Sequence, residues 1–576
     1  MKTFQTCLLL LVTGSLLCAG TAFAKAPVIF FTDLTSGPNT GGENVGGYAG
    51  AYVTIYGNNF GPTQGTSAVT LNGANCLRVV SWATPWLWYQ KLVVQLGSSC
   101  TSGDFDVVVS GVHSLRPGVI LNGSKLNPAS FTVRAGNIRC VAVGGSDSAS
   151  GAFGSCWATM KNAERTLGNG DIAYVLNGVS ESSSDSCDNR AVITLCHPGT
   201  SGNPKAIVAY PGATATLNAS SRGYGIFTSA GSCCSAGSGY WVIAGLQMPA
   251  NNVAVSVRSP NFRLVGNRIT CSASAGANST ACMEQEQPNQ SFYGNEFVVA
   301  GASGLDKTYH TVYFSIGSSH IDFGWNSLHD GHACRGVQFH DDSGATHFSD
   351  VHFHDNLLYN IPCDGLNFST MDVQNGPVEA FNNVMYHVGA GDPTMLGGTA
   401  NYTCIRLAGA TGATATNAVD LYNNTCYDSG ASTQSSSRGT FCLCTWARLR
   451  NNIAYQTGSE PYLQPVGADC AKSCTNAVAT GSSNNDWFGV SGTPTCTSLT
   501  GNLTSNPLFV STSTPDFHLQ TASPMIDAGV TIANLITDQS GTSRPQGTAN
   551  DVGAYEYDTG ALPPPAPTLL SVESVP

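Results

Sequence analysis

The sequence predicts an all-β protein in which a β-sandwich is followed by a solenoid of stacked coils. Three observations support this prediction: charged residues make up only 10% of the chain, 65 glycines accompany many Ser, Thr and Asn residues, and one short phrase recurs seven times. Sparse charge argues against coiled coils and long exposed helices. With 42% hydrophobic residues, the 576-residue chain can build large cores, and its length favours two or more domains.

Residues 1–24 have the features of a secretory signal peptide. Lys2 supplies the positive start, residues 8–12 are apolar, and Ala22-Phe23-Ala24 has the small-x-small pattern of a cleavage site. No later apolar run is long enough to span a membrane. We therefore expect a secreted protein, extracellular or periplasmic. Its formal net charge of −12 disfavours nucleic acid as a partner.

Residues 26–135 read as short strands separated by turns. Tyr52 to Tyr56 alternates in polarity, Gly57-Asn58-Asn59-Phe60-Gly61 forms a turn, and further strands follow near 68–71, 92–96, 105–110 and 131–133. Several strands in about a hundred residues predict a β-sandwich. The phrase from Val53 to Gly61, with Phe105-Asp106-Val107-Val108-Val109, resembles the immunoglobulin-like IPT/TIG domain. That resemblance implies a module that mediates contacts or spaces other domains.

A short helix is predicted after the sandwich. Trp157, Met160, Ala163 and Leu167 recur at steps of three and four, which makes one helix side apolar. Gly168-Asn169-Gly170 ends the helix. One amphipathic helix ahead of a long all-β region is typical of a cap over the open end of a solenoid.

A repeated phrase marks the solenoid. Alternating apolar residues lead to an Asn, which is followed by more apolar residues with an aromatic or His. The steps between successive copies are compatible with one coil of three short strands plus turns. Stacked Asn side chains can bond to one another and to the turn backbone. The key Asn residues are Asn267, Asn295, Asn326, Asn356, Asn383, Asn424 and Asn452.

From residue 136 to 557 the chain resembles right-handed parallel β-helix proteins. That group includes many secreted polysaccharide lyases, some glycoside hydrolases and epimerases, and phage tailspikes. The segment from Ser523 to Gly529, together with Asp551 to Tyr557, resembles the closing segment of bacterial members. Residues 558–576 form a short Pro-rich tail. The resemblance predicts the fold but leaves the reaction open, because the fold hosts several.

Of the 21 cysteines, Cys7 and Cys18 lie in the signal peptide, and the other 19 are expected to form disulfides in an exported protein, with at least one left over because the number is odd. Zinc knuckles are the alternative, but no pair of CxxC motifs is present. Cysteines that are neighbours in the sequence are predicted to pair locally. The predicted pairs are Cys76–Cys100, Cys140–Cys156, Cys187–Cys196, Cys271–Cys282 and Cys470–Cys474.

The resemblance to the lyases implies a substrate groove along the first strand of each coil. These strands are 311–314, 336–339, 365–368 and 404–407. Because side chains alternate along a strand, Tyr313, Gln338, Asn367 and Arg406 are predicted to form one outward column. The strand ends and the preceding coil add further polar residues: His310, Arg335, Asp364, Ser315, His340, Ser369 and Glu284. Acids, bases and amides at coil spacing suit a sugar chain, whereas a polar surface without activity is the alternative.

Histidines are concentrated in the same region, with eight of the 12 lying between His310 and His354. Histidine suits proton transfer or metal binding near neutral pH. His352 and His354 share a strand face and could bind zinc with Asp322 or Glu379. No HExxH or comparable signature is present, so no metal site is predicted.

Calcium is the one cofactor that the sequence leaves open. A calcium site could use Asp341, Asp342 or Asp364, because calcium requires only clustered oxygen ligands. A further column, three residues after each key Asn, holds His329, Tyr359, Tyr386, Tyr427 and Tyr455. A regular aromatic stack of this kind is expected to stabilise the coils rather than to bind a ligand.

The leading functional hypothesis is a lyase that cleaves a uronic-acid-containing polysaccharide by β-elimination. Removal of the proton beside a carboxylate requires that the carboxylate be neutralised, for which Arg335, Gln338, Asn367 and Arg406 are suitable. Arg335 is expected to hold the substrate acid, and His310 or His340 to move the proton, with Tyr313 or Lys307 as further candidates. Glu284, Tyr313, Gln338, Asp364, Asn367 and Arg406 are predicted to contact the substrate.

Two alternatives belong to other classes. A glycoside hydrolase requires two carboxylates across the scissile bond. Glu284, Asp341, Asp342 and Asp364 are available, but no DxD or paired-Asp signature is evident on the first strands. A non-catalytic extracellular surface or matrix protein that binds carbohydrate is the other alternative. Detection of an unsaturated uronide product distinguishes the three, because only elimination creates one.

Overall fold

The computed structural model describes residues 25–558, apart from 229–233, 235–236, 278–280, 300–302, 399, 432–437, 460–462, 465, 468–469, 472–473 and 490–493. The predicted signal peptide and all but the first residue of the predicted tail lie outside these residues. The described chain is almost entirely β-structure. Its helices are Met160–Thr166 and a single turn at Cys474–Ala477. No helix in these residues is long and apolar enough to cross a membrane.

The N-terminal region folds as a β-sandwich of two sheets. One sheet contains, in spatial order, Val28–Thr32, Tyr52–Asn58, Tyr89–Leu96 and Leu77–Trp86. The other contains Ser36–Gly37, Ser130–Val133, Gly103–Val109 and Ala68–Leu71, with Val112–His113 paired to Gly103–Val109. A separate hairpin joins Ile120–Leu121 to Ser124–Lys125. Inward residues such as Phe105 and Phe131, whose rings lie 5.4 Å apart, fill the core between the sheets.

After the sandwich, three long parallel sheets wind around one apolar core. We call the sheet that carries the predicted groove the first sheet. The described strands of the first sheet are Ala191–Thr194, Tyr224–Phe227, Val253–Val257, Ala281–Gln285, His310–Phe314, Val337–Phe339, Leu366–Phe368, Tyr402–Leu407, Arg438–Leu443 and Leu463–Gln464.

The second sheet precedes the Asn corner and the third sheet follows it. The second sheet comprises Ile138–Val141, Ile172–Val175, Lys205–Ala209, Trp241–Ala244, Phe262–Val265, Gln290–Tyr293, Ser319–Gly324, Ser349–His354, Val378–Phe381, Val419–Tyr422, Ala447–Arg450, Ser482–Ser483 and Leu499–Thr500. The third comprises Ser180–Glu181, Thr216–Leu217, Gln247–Ala250, Arg268–Cys271, Glu296–Val299, Ser327–His329, Leu357–Tyr359, Val384–Tyr386, Thr425–Tyr427, Ile453–Gln456 and Asp486–Gly489. The predicted coil of three strands is confirmed.

The recurring asparagines form a continuous buried ladder. In Asn326 the backbone N–H and the side-chain Nδ2 both donate to Oδ1 of Asn356, at 2.9 and 3.1 Å, and Nδ2 also donates to Phe292 O at 2.9 Å. The same paired contacts, between 2.8 and 3.2 Å, link every successive pair of predicted positions and extend to Asn485. Each corner therefore satisfies its own polar groups inside the fold.

The predicted helix closes the N-terminal end of the solenoid core. Thr159 caps it, and its hydroxyl accepts the backbone N–H of Asn162 at 3.1 Å. Met160 and Ala163 are buried in the same apolar cluster as the coil interiors. The helix therefore covers apolar side chains that an open first coil would leave exposed to water.

The sandwich packs against the outer face of the second sheet. Outward residues of that sheet, such as Tyr174 and Tyr293, belong to the apolar core of the sandwich, as does Trp325 at the corner that follows the sheet. Tyr174 bonds to the backbone of Tyr52 in both directions, donating to its O at 2.7 Å and accepting its N–H at 2.8 Å. The module is therefore built into the solenoid wall rather than tethered to it.

The C-terminal segment returns over the outer face of the third sheet. Its hairpin, Phe509–Ser511 paired with Asp516–Leu519, covers the aromatic column. His329, Tyr359 and Tyr386 stack with ring centroids 4.7 and 4.9 Å apart, and Phe517 contacts Tyr386. The column therefore stabilises the coils and seats this segment. The remaining short pairs are Met371–Asp372 with Ala410–Thr411, and Val466–Gly467 with Cys470–Ala471.

Three predicted disulfides are confirmed: Cys76–Cys100, Cys140–Cys156 and Cys271–Cys282. The predicted Cys187–Cys196 pair is wrong, because Cys196 pairs with Cys234 on the next coil. Stacked coils place residues one repeat apart side by side, nearer than many sequence neighbours. The side chains of Cys470 and Cys474 lie outside the described residues. Two pairs were not predicted, Cys334–Cys363 and Cys404–Cys426.

Candidate functional site

The predicted outward column exists on the first sheet. Tyr313 lies opposite Gln338, Gln338 opposite Asn367, and Asn367 opposite Arg406 in the parallel register. The alternating residues, such as Val312 and Phe314, are fully buried in the solenoid core. Strand pairing fixes the spacing of the column at about 4.8 Å per coil.

A cavity of about 360 Å³ opens over this column. Segments 303–308 and 391–398 flank the strand ends that carry His310 and Arg335, and they are joined by a bridge between Asp306 and Leu396. A turn at 341–347, organised by hydrogen bonds to the buried Asp341, flanks the other ends. The lining residues are Thr308, His310, Tyr313, Arg335, Gln338, His340, Asp342, Asn367, Ser369 and Arg406.

His310 is a buried, neutral base in the cavity wall. Only 3% of the residue is exposed, and its Nδ1 has no hydrogen-bond partner within the described residues. Burial, followed by the charges of Arg335 and His340, lowers the pKa of His310 well below 6.5. The ring therefore stays unprotonated at neutral pH and can accept a proton.

Tyr313 lies next to His310, with ring centroids 5.3 Å apart in an edge-to-face arrangement. Its hydroxyl donates to Oδ1 of Asp342 at 3.0 Å. Burial and the negative charge of Asp342 raise the pKa of Tyr313 far above its ordinary value of 10.0. Tyr313 therefore keeps its proton and suits the role of a proton donor.

Arg335 is held in place by a buried carboxylate. Its Nε donates to Oδ2 of Asp364 at 3.1 Å, and Thr403 Oγ1 donates to the other oxygen at 2.9 Å. Asp364 is fully buried and does not line the cavity. The expectation that Asp364 contacts the substrate therefore does not fit this geometry: it lies behind Arg335 and orients the guanidinium.

The amide side chains form a hydrogen-bonded row across the floor. Asn367 Nδ2 donates to Gln338 Oε1 at 3.2 Å, while Arg406 Nη1 approaches Asn367 Oδ1 at 3.5 Å. All three residues are at most 9% exposed although they point away from the core. The cavity walls cover them, so this row is partly shielded from bulk water and its charges act over longer range.

His340 lies at the opposite strand ends from His310. Its ring approaches Asp342, with Nε2 and Oδ1 at 3.3 Å, and about a third of its side chain is exposed. Burial lowers the pKa of His340, and the negative charge of Asp342 opposes that shift. His340 is therefore also neutral in the neutral pH range.

Glu284 extends the column, as predicted, but lies outside the cavity. It pairs in register with Tyr313 and accepts a hydrogen bond from Ser256 Oγ at 3.1 Å. Thr308 lines the cavity and was not singled out from the sequence. It lies in the segment before the His310 strand, where no periodic pattern indicates which residues face inward.

His352 and His354 are bound to carboxylates rather than open to a metal. His352 lies 3.0 Å from Asp350 and 3.1 Å from Glu379, while His354 lies 2.7 Å from Asp322 and 2.8 Å from Asp355. Burial opposes charge on both rings, but these contacts outweigh it and raise the pKa of His352 to about 10 and that of His354 to about 9. In the part of the chain that the structure describes, no cluster of three or more His, Cys, Asp or Glu residues could hold a metal ion.

The three parallel sheets and their Asn ladder define a parallel β-helix protein with an N-terminal β-sandwich. No family model matches the chain, and no curated protein matches it. Among solved structures, it is similar to the pectate lyase Pel9A, with 15% identity over 73% of this chain and 96% of that chain, at a TM-score of 0.39.

A rhamnogalacturonan lyase shows 14% identity over 65% of this chain and 91% of that chain, with a TM-score of 0.34. The complex of XylC with xylose shows 10% identity over 72% of this chain and 98% of that chain, with a TM-score of 0.39. The chemistry of this protein has to be derived from its own cavity.

Proposed function

We propose that this protein is a lyase that cleaves a uronic-acid-containing polysaccharide by β-elimination in the cavity over the first sheet. The observation that carries the proposal is the meeting of four groups in one cavity. A neutral histidine, His310, and a protonated tyrosine, Tyr313, lie beside the guanidinium groups of Arg335 and Arg406. These are the base, the acid and the charge neutralisers that an elimination requires.

Recognition of an acid fits the local charge. The whole chain carries a formal charge of −12, yet this cavity contains two arginines, two neutral amides and two histidines of lowered pKa. The only carboxylate among its described lining residues is Asp342. Arg335, preset by Asp364, is suited to pair with the uronate carboxylate, and Gln338 and Arg406 can share its developing negative charge.

The lowered pKa of His310 makes it the proton acceptor, and the raised pKa of Tyr313 makes it the proton donor. With the carboxylate neutralised, His310 takes the proton from C5 of the uronate, and that electron pair forms the C4–C5 double bond. The C4–O4 bond breaks, and Tyr313 gives its proton to the departing oxygen. Asp342 accepts the hydrogen bond of Tyr313 in the resting state and orients its hydroxyl. Proton exchange with solvent then returns His310 and Tyr313 to their starting forms, and no water is consumed.

A glycoside hydrolase is less well supported by this site. Hydrolysis requires two carboxylates facing the scissile bond. Asp364 is buried against Arg335, Asp341 is held within its own turn, and Glu284 lies outside the cavity. A non-catalytic binding protein needs no buried base. If the protein only binds carbohydrate, it forms no product, and replacing the lining residues changes binding alone.

The N-terminal sandwich and the disulfides support two finer proposals. The mostly antiparallel two-sheet arrangement is compatible with an IPT/TIG-type module, here packed on the solenoid. Six disulfides among the described residues suit a secreted, extracellular or periplasmic protein. Both fit an enzyme that meets its polymer outside the cell.

The deciding experiment incubates the mature protein with a panel of uronic-acid polysaccharides and follows the ultraviolet absorbance of unsaturated uronides. We expect absorbance to rise with at least one polymer and to stay flat with the His310→Ala variant. Parallel reactions with a chelator test whether calcium contributes. New reducing ends without absorbance would indicate hydrolysis, and binding without any new ends would indicate a carbohydrate-binding protein; either result overturns the proposal.

A further inference from the structure

The groove over the first sheet has a charge polarity along the solenoid axis. From Tyr313 towards the C-terminal coils, the column continues with Gln338, Asn367 and Arg406. From Tyr313 towards the N-terminal coils, it continues with Glu284, Ser256 and Phe227. One side thus offers amides and a cation, whereas the other offers an acid, a hydroxyl and an aromatic ring.

The arginines near the N-terminal side are engaged by acids. Arg258 pairs with Glu286 at 3.0 Å, and Arg190 pairs with Asp188 at 2.6 Å. Phe227 stacks on Tyr224 with ring centroids 4.4 Å apart. This side of the groove therefore presents Glu284, whose neighbouring cation Arg258 is shared with Glu286, next to apolar and hydroxyl surface that suits a neutral sugar.

The roles proposed above for Tyr313 and Arg335 determine which way the sugar chain runs along the groove. This orientation rests on the proposed function. The sugar that reacts must place its carboxylate near Arg335 and Gln338. The sugar that leaves is attached at O4 and must lie beyond Tyr313, the group that protonates the departing oxygen. Beyond Tyr313 lies the coil of Glu284, about 4.8 Å further along the axis.

We infer that the leaving sugar is neutral, so that the substrate is a mixed polymer in which a neutral sugar is attached to O4 of the cleaved uronic acid. Glu284 is the residue that determines this specificity. It can accept hydrogen bonds from sugar hydroxyls, and it repels a second carboxylate at the same place. Burial raises the pKa of Glu284, while the hydrogen bond from Ser256 and the charge of Arg258 favour its ionised form. Because the side chain is partly buried, the repulsion is only partly screened by water.

Two matched pairs of polymers test the inference on the wild-type protein. One compares polygalacturonate with the alternating galacturonate–rhamnose polymer, and the other compares polyglucuronate with the alternating glucuronate–N-acetylhexosamine polymer. We expect kcat/KM for the alternating member of the cleaved pair to exceed that for the homopolymer by about tenfold or more, as repulsion between like charges at this distance implies.

The Glu284→Gln variant identifies the responsible side chain. It keeps the acceptor for Ser256 and removes the charge, so its rate on the homopolymer should rise about tenfold relative to its rate on the alternating polymer. Glu296→Gln is the matched control, because Glu296 is a paired acid on the third sheet, away from the groove, where it contacts Arg268. The control should keep the wild-type preference, and thermal melting verifies that both variants are folded.

Equal rates on the two members of a pair would overturn this inference and leave the proposed lyase standing. A preference that survives in Glu284→Gln would also overturn it, because another group would then set the specificity. Absence of unsaturated product with all four polymers would overturn both the inference and the proposed function for these substrate classes.

Discussion

At the scale of single residues, the pairing of Arg335 with Asp364 sets what the cavity can bind. The buried carboxylate of Asp364 accepts a hydrogen bond from Nε on one edge of the Arg335 guanidinium. The two terminal nitrogens of Arg335 remain as donors on the cavity side. Asp364 contacts no substrate in this arrangement, yet its removal would release Arg335 and leave a buried cation unpaired.

We expect Arg335→Ala and His340→Ala to lower kcat/KM by about 10²-fold or more, with the fold intact. Arg335 pairs with the acid of the substrate, and both side chains line the cavity without filling the solenoid core. The measurement is the rate of unsaturated product formation. Arg268→Ala is the control, because Arg268 lies on the third sheet and pairs there with Glu296 at 3.0 Å. If Arg268→Ala is as damaging as Arg335→Ala at unchanged stability, the groove is on another face.

The pH profile gives a second prediction at this scale. His310 must be neutral to accept a proton, and its pKa is lowered well below 6.5 by burial and by Arg335. Activity should therefore persist below pH 6.5 and fall only as the pH drops through this lowered pKa. On the alkaline side Tyr313, whose pKa is raised above 10.0, still holds its proton. The test is kcat/KM across the pH range, and an acid limb at or above pH 6.5 would exclude His310 as the base.

At the scale of elements, the Asn ladder joins each coil to the next through a side-chain oxygen that accepts both a backbone N–H and a side-chain amide of the preceding coil. Replacing Asn326 by Ala removes the oxygen that accepts the backbone N–H and Nδ2 of Asn295, and removes the Nδ2 donor to Asn356 and Phe292. The backbone N–H of residue 326 still donates to Asn356, whereas the buried N–H of Asn295 loses its partner. We expect a loss of about 3 kcal/mol in the free energy of unfolding. Denaturant titration measures it. Asn169→Ala, at an exposed position in the loop after the helix, should cost less than about 0.5 kcal/mol; similar costs at both positions would argue against the ladder.

The sequence pattern predicts some of the site residues and disulfides but not others. The outward column could be predicted because the period of a strand is two, so an apolar Val312 and Phe314 place Tyr313 outside. Asp364 precedes its strand, where that rule no longer applies, and only the position of Arg335 shows that it turns inward. The pairing of Cys196 with Cys234 depends on how loops of adjacent coils stack, which no local spacing reveals.

At the scale of the whole molecule, the docking of the sandwich was not anticipated, although a signal for it exists. Ile172-Ala173-Tyr174-Val175 is apolar at every position, which a strand with one solvated face would not be. The outward Tyr174 packs against Tyr52, with ring centroids 5.4 Å apart. An unbroken apolar strand at the start of a solenoid therefore indicates a covered outer face.

Because of this shared core, we expect the sandwich and the adjoining coils to unfold in one cooperative transition. Tyr174→Phe should lower the free energy of unfolding by about 2 kcal/mol, since both the N–H and the O of Tyr52 lose their partner. Differential scanning calorimetry measures both effects. Two separated transitions, of which Tyr174→Phe moves neither, would mean that the two parts are energetically independent.

The order of the chain gives the sandwich interface a consequence for biosynthesis. The sandwich is synthesised first, and its outer apolar surface awaits partners that lie downstream, from Ile172 to Trp325. As each early coil is synthesised, its second-sheet strand can pair with the preceding coil and pack against the folded sandwich at the same time. The earliest coils therefore fold against a surface that is already formed. On later coils, Phe381 and Tyr422 pack with Val119 of the N-terminal region and with Ile532, so this part of the interface is completed only when the C-terminal segment arrives.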